Sequence, residues 1–97
     1  MPELETFIEK IENFGQLSPS NQIDFFAYFL LIERKADGFV SKDIARCFDE
    51  LHFTPYSNIS AYLSSKSKGK NKIFIKKNGD KYYLERSFKE SLDKRIG

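Results

Sequence analysis

The chain has 97 residues, a formal net charge of +2, one cysteine and one histidine. This length supports one modest core and no roomy buried active site. A single cysteine excludes an intramolecular disulfide or a cysteine-based zinc site, and a single histidine excludes a multi-histidine metal site. We therefore expect one domain without metal or cofactor, in an intracellular reducing compartment, either the cytoplasm or the nucleoid.

The N-terminal segment MPELETF is acidic and lacks the apolar stretch of a signal peptide. The longest apolar run, residues 25–32, is too short to span a bilayer. These features favour a soluble protein with no membrane partner.

Charge is distributed unevenly along the chain. Residues 1–50 carry a net charge of −5 and residues 51–97 a net charge of +7. Seven lysines lie between positions 66 and 81, opposed there only by Asp80. This asymmetry favours a polyanionic partner for the second half of the chain.

Two helices are expected in the first third of the chain. Leu4, Phe7 and Phe14 belong to an apolar helical repeat that predicts a helix over residues 3–14, ended by Gly15. Ser18 followed by proline predicts the start of a second helix, running to about residue 36. That helix is apolar on nearly every side, so it should be central, covered by other elements or by a second subunit.

Two shorter helices should follow. Asp37-Gly38 ends the second helix, residues 39–40 form a short extended piece, and Ser41 is expected to cap a third helix. Its inward residues should be Ile44, Ala45, Phe48 and Leu51, with Cys47 as a small buried side chain. Thr54-Pro55 repeats the start signal for a fourth helix that reaches residue 64 or 65, with Ile59, Tyr62 and Leu63 facing inward.

A basic hairpin is the clearest local signal. Residues 64–71 form a connector of Ser, Lys, Gly and Asn that should be mobile. Asn78-Gly79 between two alternating segments predicts a hairpin with a two-residue type I′ turn. The alternation suggests a core face of Ile73, Ile75, Tyr82 and Leu84, and an opposite face of Phe74 and Tyr83. Ser87 with Glu90 predicts a capping box for a last helix that contains Phe88 and Leu92.

This element order, with the segments ADGFVSKDIARCF, PYSNISAYL and KNGDKYYL, resembles the winged helix-turn-helix superfamily. The resemblance implies a mainly α fold with a small β-hairpin, one domain over residues 1–97. Residues 1–17 would be an N-terminal helical extension, 18–86 the winged-helix core and 87–97 a C-terminal helix. Within the core, residues 41–51 would be the first helix of the motif, 52–54 the turn, 55–65 the recognition helix and 72–86 the wing.

The resemblance implies that the protein binds double-stranded DNA, as a transcription regulator or as the targeting module of a larger protein. Residues at the start of a recognition helix reach base edges, so Asn58 is a candidate for pairing with adenine and the serines for base or phosphate contacts. Lysines are better suited to phosphates. The candidate nucleic-acid-binding residues are Tyr56, Ser57, Asn58, Ser60, Ser64, Lys66, Lys68, Lys70, Lys72, Lys76, Lys77 and Lys81.

Three other interpretations stay open. The predicted recognition helix has no arginine or lysine before residue 66, which favours a winged-helix module that binds a protein partner or forms a homodimer and does not bind nucleic acid. RNA binding would use Tyr56, Phe74 or Tyr83 to stack on unpaired bases. Ser57 and Asn58 could also serve only to start the helix. The sequence has no phosphate-binding loop and no nucleophile motif, so we expect neither an enzyme nor a small-molecule substrate.

Overall fold

The computed structural model describes residues 2–77 and 79–96. In that part of the chain, five α-helices surround a two-stranded antiparallel sheet, so the expected mainly α architecture with a small β-hairpin is confirmed. The helices are α1 (Pro2–Glu9), α2 (Pro19–Tyr28), α3 (Ser41–Glu50), α4 (Ile59–Ser65) and α5 (Arg86–Ile96). The strands are β1 (Phe74–Lys77) and β2 (Lys81–Leu84).

The first helix is shorter than predicted. It ends at Glu9, and the chain passes through Asn13, which has a φ of 56°, into a short 3₁₀ turn, Phe14–Gln16. Gly15 lies inside that turn and does not terminate the helix. Phe14 is nevertheless buried, its ring centroid 5.5 Å from that of Phe26. The helical repeat identified the buried face correctly, because a 3₁₀ turn can present the same residue to the core.

The second helix is the centre of the core, as predicted. The Ser18 hydroxyl accepts a hydrogen bond from the backbone N–H of Asn21, which confirms the predicted cap. All residues from 22 to 29 are buried. The α-helix stops at Tyr28 and continues as a π-helical segment, Phe29–Glu33, so the regular helix is shorter than the predicted span to residue 36.

The third helix begins at Ser41, but Ser41 does not cap it. The cap residue is Val40, and the Val40 backbone N–H donates a hydrogen bond to the Asp43 carboxylate at 2.9 Å. Ile44, Cys47 and Phe48 are buried as expected. Ala45 is exposed and Leu51 half-buried, so the inward face is narrower than predicted.

The fourth helix starts four residues later than predicted, at Ile59. Pro55 lies in an irregular segment that follows the α3 helix, so the predicted three-residue turn is in fact a longer loop over residues 51–58. Both Thr54-Pro55 and Asn58 are start signals, and the asparagine is the one used. Tyr62 and Leu63 are buried and Ile59 is half-buried, as predicted.

The hairpin forms with Tyr82 of β2 in the core, as predicted, but with the opposite face of β1 inward. In the observed register Phe74 faces Leu84 and Ile75 faces Tyr83. Phe74 is fully buried, whereas Ile73 and Ile75 are half-buried, so the predicted face assignment of β1 is wrong. In the segment Ile-Phe-Ile both faces are apolar, and a shift of one residue exchanges them.

The hairpin loop is also one residue longer than predicted. Lys77 pairs with Lys81, which leaves residues 78–80 in the loop instead of a two-residue turn. Gly79 has a φ of 81°, and the conformation of Asn78 lies outside the described residues. On the other side of β2, Phe39 forms a β-bridge with Tyr82, through two backbone hydrogen bonds of 3.0 and 2.8 Å. This bridge fixes the hairpin to the chain just before α3.

The last helix packs on α2. Its first turn is capped by Glu85, whose carboxylate accepts a hydrogen bond from the Phe88 N–H, so the predicted capping box at Ser87 is wrong. Leu92 is buried and Phe88 half-buried. The Tyr28 hydroxyl donates a hydrogen bond to Asp93, which joins the middle of the core to the C-terminal helix.

Replacement of Gly38 by alanine tests how the hairpin is seated. Gly38 has a φ of 91°, and an added Cβ would lie 3.0 Å from the Lys81 Cβ and 3.0 Å from the Tyr83 ring. We expect Gly38→Ala to lower the free energy of unfolding by about 2 kcal/mol, measured by urea denaturation. Gly69→Ala is the matched control, because Gly69 has a φ of 82° but no atom within 4 Å of the added Cβ. An equal loss of unfolding free energy in the two variants would contradict close packing of β2 against Gly38.

Candidate nucleic-acid interface

A surface cleft joins three elements that are distant in sequence. It lies between the start of α3, the exposed side of α4 and the hairpin, with a volume of about 490 Å³. Its polar lining includes Ser60 and Ser64 from α4 and Lys76 from β1. Three of the predicted site residues are therefore brought together here, on a surface that is open to solvent.

A second, shallower cleft adjoins the first. It is lined by Tyr56, Ser57 and Asn58, the loop residues that precede α4. Ser41, Lys42 and Ser60 line both clefts, so the two form one continuous surface along α4. We call the two clefts together the α4 face. Six of the twelve predicted site residues line it.

Asn58 is the N-cap of α4. Its side-chain oxygen accepts a hydrogen bond from the Ala61 backbone N–H at 3.0 Å. Bidentate recognition of adenine requires both the oxygen and the amide nitrogen of an asparagine. Because the oxygen is already engaged within the helix, we expect Asn58 to position α4 rather than to read a base.

Two substitutions of Asn58 separate these roles. Asn58→Ser keeps a side-chain oxygen at the cap and removes the amide, whereas Asn58→Ala removes both. We expect the alanine variant to lose about 1 kcal/mol of unfolding free energy and the serine variant to lose only a few tenths. Duplex affinity should be retained in the serine variant. A serine variant of unchanged stability that binds duplex more weakly would instead identify Asn58 as a base reader.

Tyr56 is only half-exposed. Its ring centroid is 5.4 Å from that of Tyr62, a buried residue of α4, with the rings tilted by 52°. One side of the Tyr56 ring is thus used for packing. The Tyr56 side chain also lines the α4 face.

The candidate lysines form two groups. The first group lies on residues 66–72, the segment that follows α4, which we call the basic loop. The Lys66 carbonyl accepts hydrogen bonds from the backbone N–H groups of Ile73 and Phe74, at 2.8 and 3.2 Å. The loop is therefore closed at its base. Its lysines are all exposed: Lys66, Lys68, Lys70 and Lys72. Among the described residues, none of these four forms a salt bridge.

The second group lies on the hairpin, and each member has an intramolecular partner. The Lys76 ammonium is 4.0 Å from the Asp80 carboxylate, and that of Lys81 is 3.9 Å from Asp37. The Lys77 ammonium lies 5.1 Å from the centre of the Tyr83 ring. Such exposed pairs are worth little, but a phosphate must still compete with them. The basic loop therefore presents more readily available positive charge than the hairpin does.

Lys42 and Ser41 are site residues that sequence analysis missed. Lys42 is the second residue of α3, is exposed, and lines both clefts of the α4 face. The sequence alone places Lys42 in the first turn of a predicted helix. It does not indicate that Lys42 lies near Lys76, because this proximity depends on how the hairpin packs against the start of α3.

Neither Cys47 nor His52 lines the α4 face. Cys47 is buried, and this burial raises the pKa of its thiol to about 12, so the reactive thiolate is disfavoured. His52 is exposed in the loop after α3, with a φ of 58°. Nowhere in the described part of the chain do three His, Cys, Asp or Glu side chains meet as a metal ion would require.

Comparison with protein-family models, with curated proteins and with solved structures found no match to this chain. None of the helices within residues 2–77 and 79–96 has the length and apolar content needed to cross a bilayer. The functional interpretation therefore rests on the geometry and charge of the α4 face and the basic loop.

Proposed function

We propose that this protein is a winged-helix domain that binds double-stranded DNA, with α4 in the major groove. The observation that carries the proposal is the cleft that joins Lys42 of α3, the serines of α4 and Lys76 of the hairpin. A helix that lies beside a basic hairpin can enter a groove while the hairpin reaches the phosphates. The β-bridge between Phe39 and β2, which fixes the hairpin beside the start of α3, fits the same architecture.

The exposed side of α4 is small and neutral. It carries Ser60, Ala61 and Ser65, with Ser64 half-buried beside them. Small side chains let the helix approach a groove closely, and hydroxyls can donate to or accept from base edges and phosphates. Because the helix has no arginine to pair bidentately with guanine, we expect duplex binding with weak base discrimination.

The lysines supply the affinity in this proposal. The basic loop follows α4 directly, and Lys76 of the hairpin lines the α4 face. If six of these side chains neutralise phosphates, the slope of log K against log salt should approach about −5. Binding of this kind suits a regulator, or the targeting module of a larger protein.

A protein-interaction module is the second candidate function. The observation that favours it is the half-buried apolar segment Leu30–Ile32 on the π-helical end of the central helix. This segment could be covered by a partner protein or a second copy. It lies outside the α4 face, so the two functions do not exclude each other.

The test of duplex binding is a fluorescence anisotropy titration at several salt concentrations. The probes are a labelled duplex of mixed sequence, the corresponding single strand and an RNA of the same sequence. We expect the duplex to bind most tightly, with a steep salt dependence. Heparin is the control polyanion, since it has charge but no groove. Failure of the duplex to bind at about 50 mM salt, or equal affinity for heparin and duplex, would contradict the proposal.

A further inference from the structure

A buried carboxylate connects the central helix to α4. Asp24 lies in the middle of α2, its neighbours Ile23 and Phe25 fully buried, and is itself only 7% exposed. The Tyr62 hydroxyl of α4 donates a hydrogen bond to it at 2.7 Å. This is a direct polar link between the core and the helix of the proposed interface.

Charged and titratable groups face Asp24 from two elements. In the described part of the chain these are Tyr62 and Lys66, from α4 and its C-terminal cap, and Arg95 from α5. The Arg95 guanidinium lies 4.8 Å from the centre of the Phe25 ring, which holds it near the buried carboxylate. Burial is the dominant influence and raises the pKa of Asp24 to about 7, against the opposing effects of Tyr62, Lys66 and Arg95.

The same residues lead outward to the proposed interface. The Tyr62 ring packs on Tyr56, which lines the α4 face. Lys66 caps α4, and its carbonyl closes the basic loop. Asp24 is thus linked to both parts of the proposed DNA-binding surface, by its hydrogen bond with Tyr62 and by its electrostatic interaction with Lys66, without lying on that surface itself.

We propose that Asp24 is a positioning residue for α4, and that its protonation strengthens binding of duplex DNA. This inference rests on the proposed function. It assigns a regulatory role to a core side chain that does not touch the ligand.

Two effects of charge explain why protonation of Asp24 should strengthen duplex binding. When Asp24 is ionised, it places a negative charge beneath the proposed DNA-binding surface, close enough to Lys66 for the two charges to interact. An ionised carboxylate in apolar surroundings also favours local opening that would admit water between α2 and α4. Protonation removes a negative charge that would repel phosphates, and it removes the cost of keeping an ionised group between α2 and α4.

Duplex affinity measured between pH 6 and pH 8 at constant salt tests the proposal. We expect the dissociation constant of the natural protein to rise about fivefold or more across this range. Asp24→Asn imitates the protonated carboxyl, so the affinity of this variant for duplex should stay near the tighter value at both pH 6 and pH 8. Tyr62→Phe removes the link but keeps the ring, and its pH dependence should be smaller. All measurements are repeated with His52→Gln, so that the single histidine of the sequence contributes nothing to the difference.

A second measurement separates the inference from the proposed function. The amide shifts of α4 residues 59–65 are followed by NMR over the same pH range without DNA, and they should follow the titration of the Asp24 carboxyl. Duplex affinity that is equal at both pH values, or α4 shifts that ignore Asp24, overturns this inference and leaves duplex binding intact. Absence of duplex binding at both pH values overturns the proposed function, and this inference with it.

Discussion

Removal of charge from the basic loop is expected to weaken duplex binding about a hundredfold at low salt, and to reduce the salt slope by up to about 3.6. The reason is that each lysine that neutralises a phosphate releases counterions when it binds. Glutamine is the replacement of choice, since it keeps most of the side-chain length without the charge. The changed residues are Lys66, Lys68, Lys70 and Lys72.

Two further variants, each with three lysines replaced, are compared with the loop variant per lysine removed. The first removes the hairpin charges, at Lys76, Lys77 and Lys81, and should cost less affinity per lysine. The hairpin ammonium groups already have partners in Asp80, the Tyr83 ring and Asp37. The second variant removes three lysines outside the α4 face and both lysine groups, at Lys10, Lys35 and Lys94, and should change affinity little. A control variant that weakens binding as much as the loop variant would show that only net charge matters, and would contradict the assignment of this surface.

Asp24→Asn is expected to stabilise the fold in alkaline solution by up to about 4 kcal/mol. The folded protein raises the pKa of this carboxyl from 3.8 to about 7. A group whose pKa is higher in the folded state contributes stability below its unfolded pKa, and loses that contribution as the pH rises through the folded value. The natural protein and the variant should therefore be similar near pH 4 and differ most above about pH 7.

Urea denaturation at pH 5 and pH 8 measures this difference. The control is Asp49→Asn, which makes the same chemical change at an exposed position on α3. It should leave the unfolding free energy unchanged within about 0.5 kcal/mol at both pH values. If Asp24→Asn lowered stability at pH 8, the ionised carboxylate would be a net stabilising partner of Tyr62, Lys66 and Arg95, contrary to the dominance of burial.

The central helix and its start could be predicted because their signals are local. Ser18 before a proline is a cap that depends on the next three residues, and the run of apolar residues from Phe25 to Phe29 has to be covered. The hairpin could be predicted for the same reason, because its sequence signal is also local. These features follow from neighbouring residues and require no knowledge of the tertiary structure.

The predicted start of α4 and the predicted buried face of β1 were wrong because two local signals competed at each place. Thr54-Pro55 and Asn58 are both helix starts, and the choice between them depends on how the loop after α3 packs. In β1, the segment Ile73 to Ile75 is apolar on both faces, so only the observed register shows that Phe74 enters the core.

The candidate site was predicted in part. Ser60, Ser64 and Lys76 do share a surface, as the order of elements implies. Lys42 joins them only through the seating of the hairpin, and Asp24 meets Tyr62 across 38 positions of sequence. Contacts of this kind depend on tertiary packing and leave no local pattern in the chain.

An NMR titration of isotopically labelled protein with a short duplex at low salt tests the central claim most directly. The α4 face should respond as one surface, with the largest amide shift changes at Lys42, Ser60, Ser64 and Lys76. Changes centred on Leu30–Ile32 and α1, or no saturable change at all, would contradict the assignment of the α4 face as a DNA-binding surface.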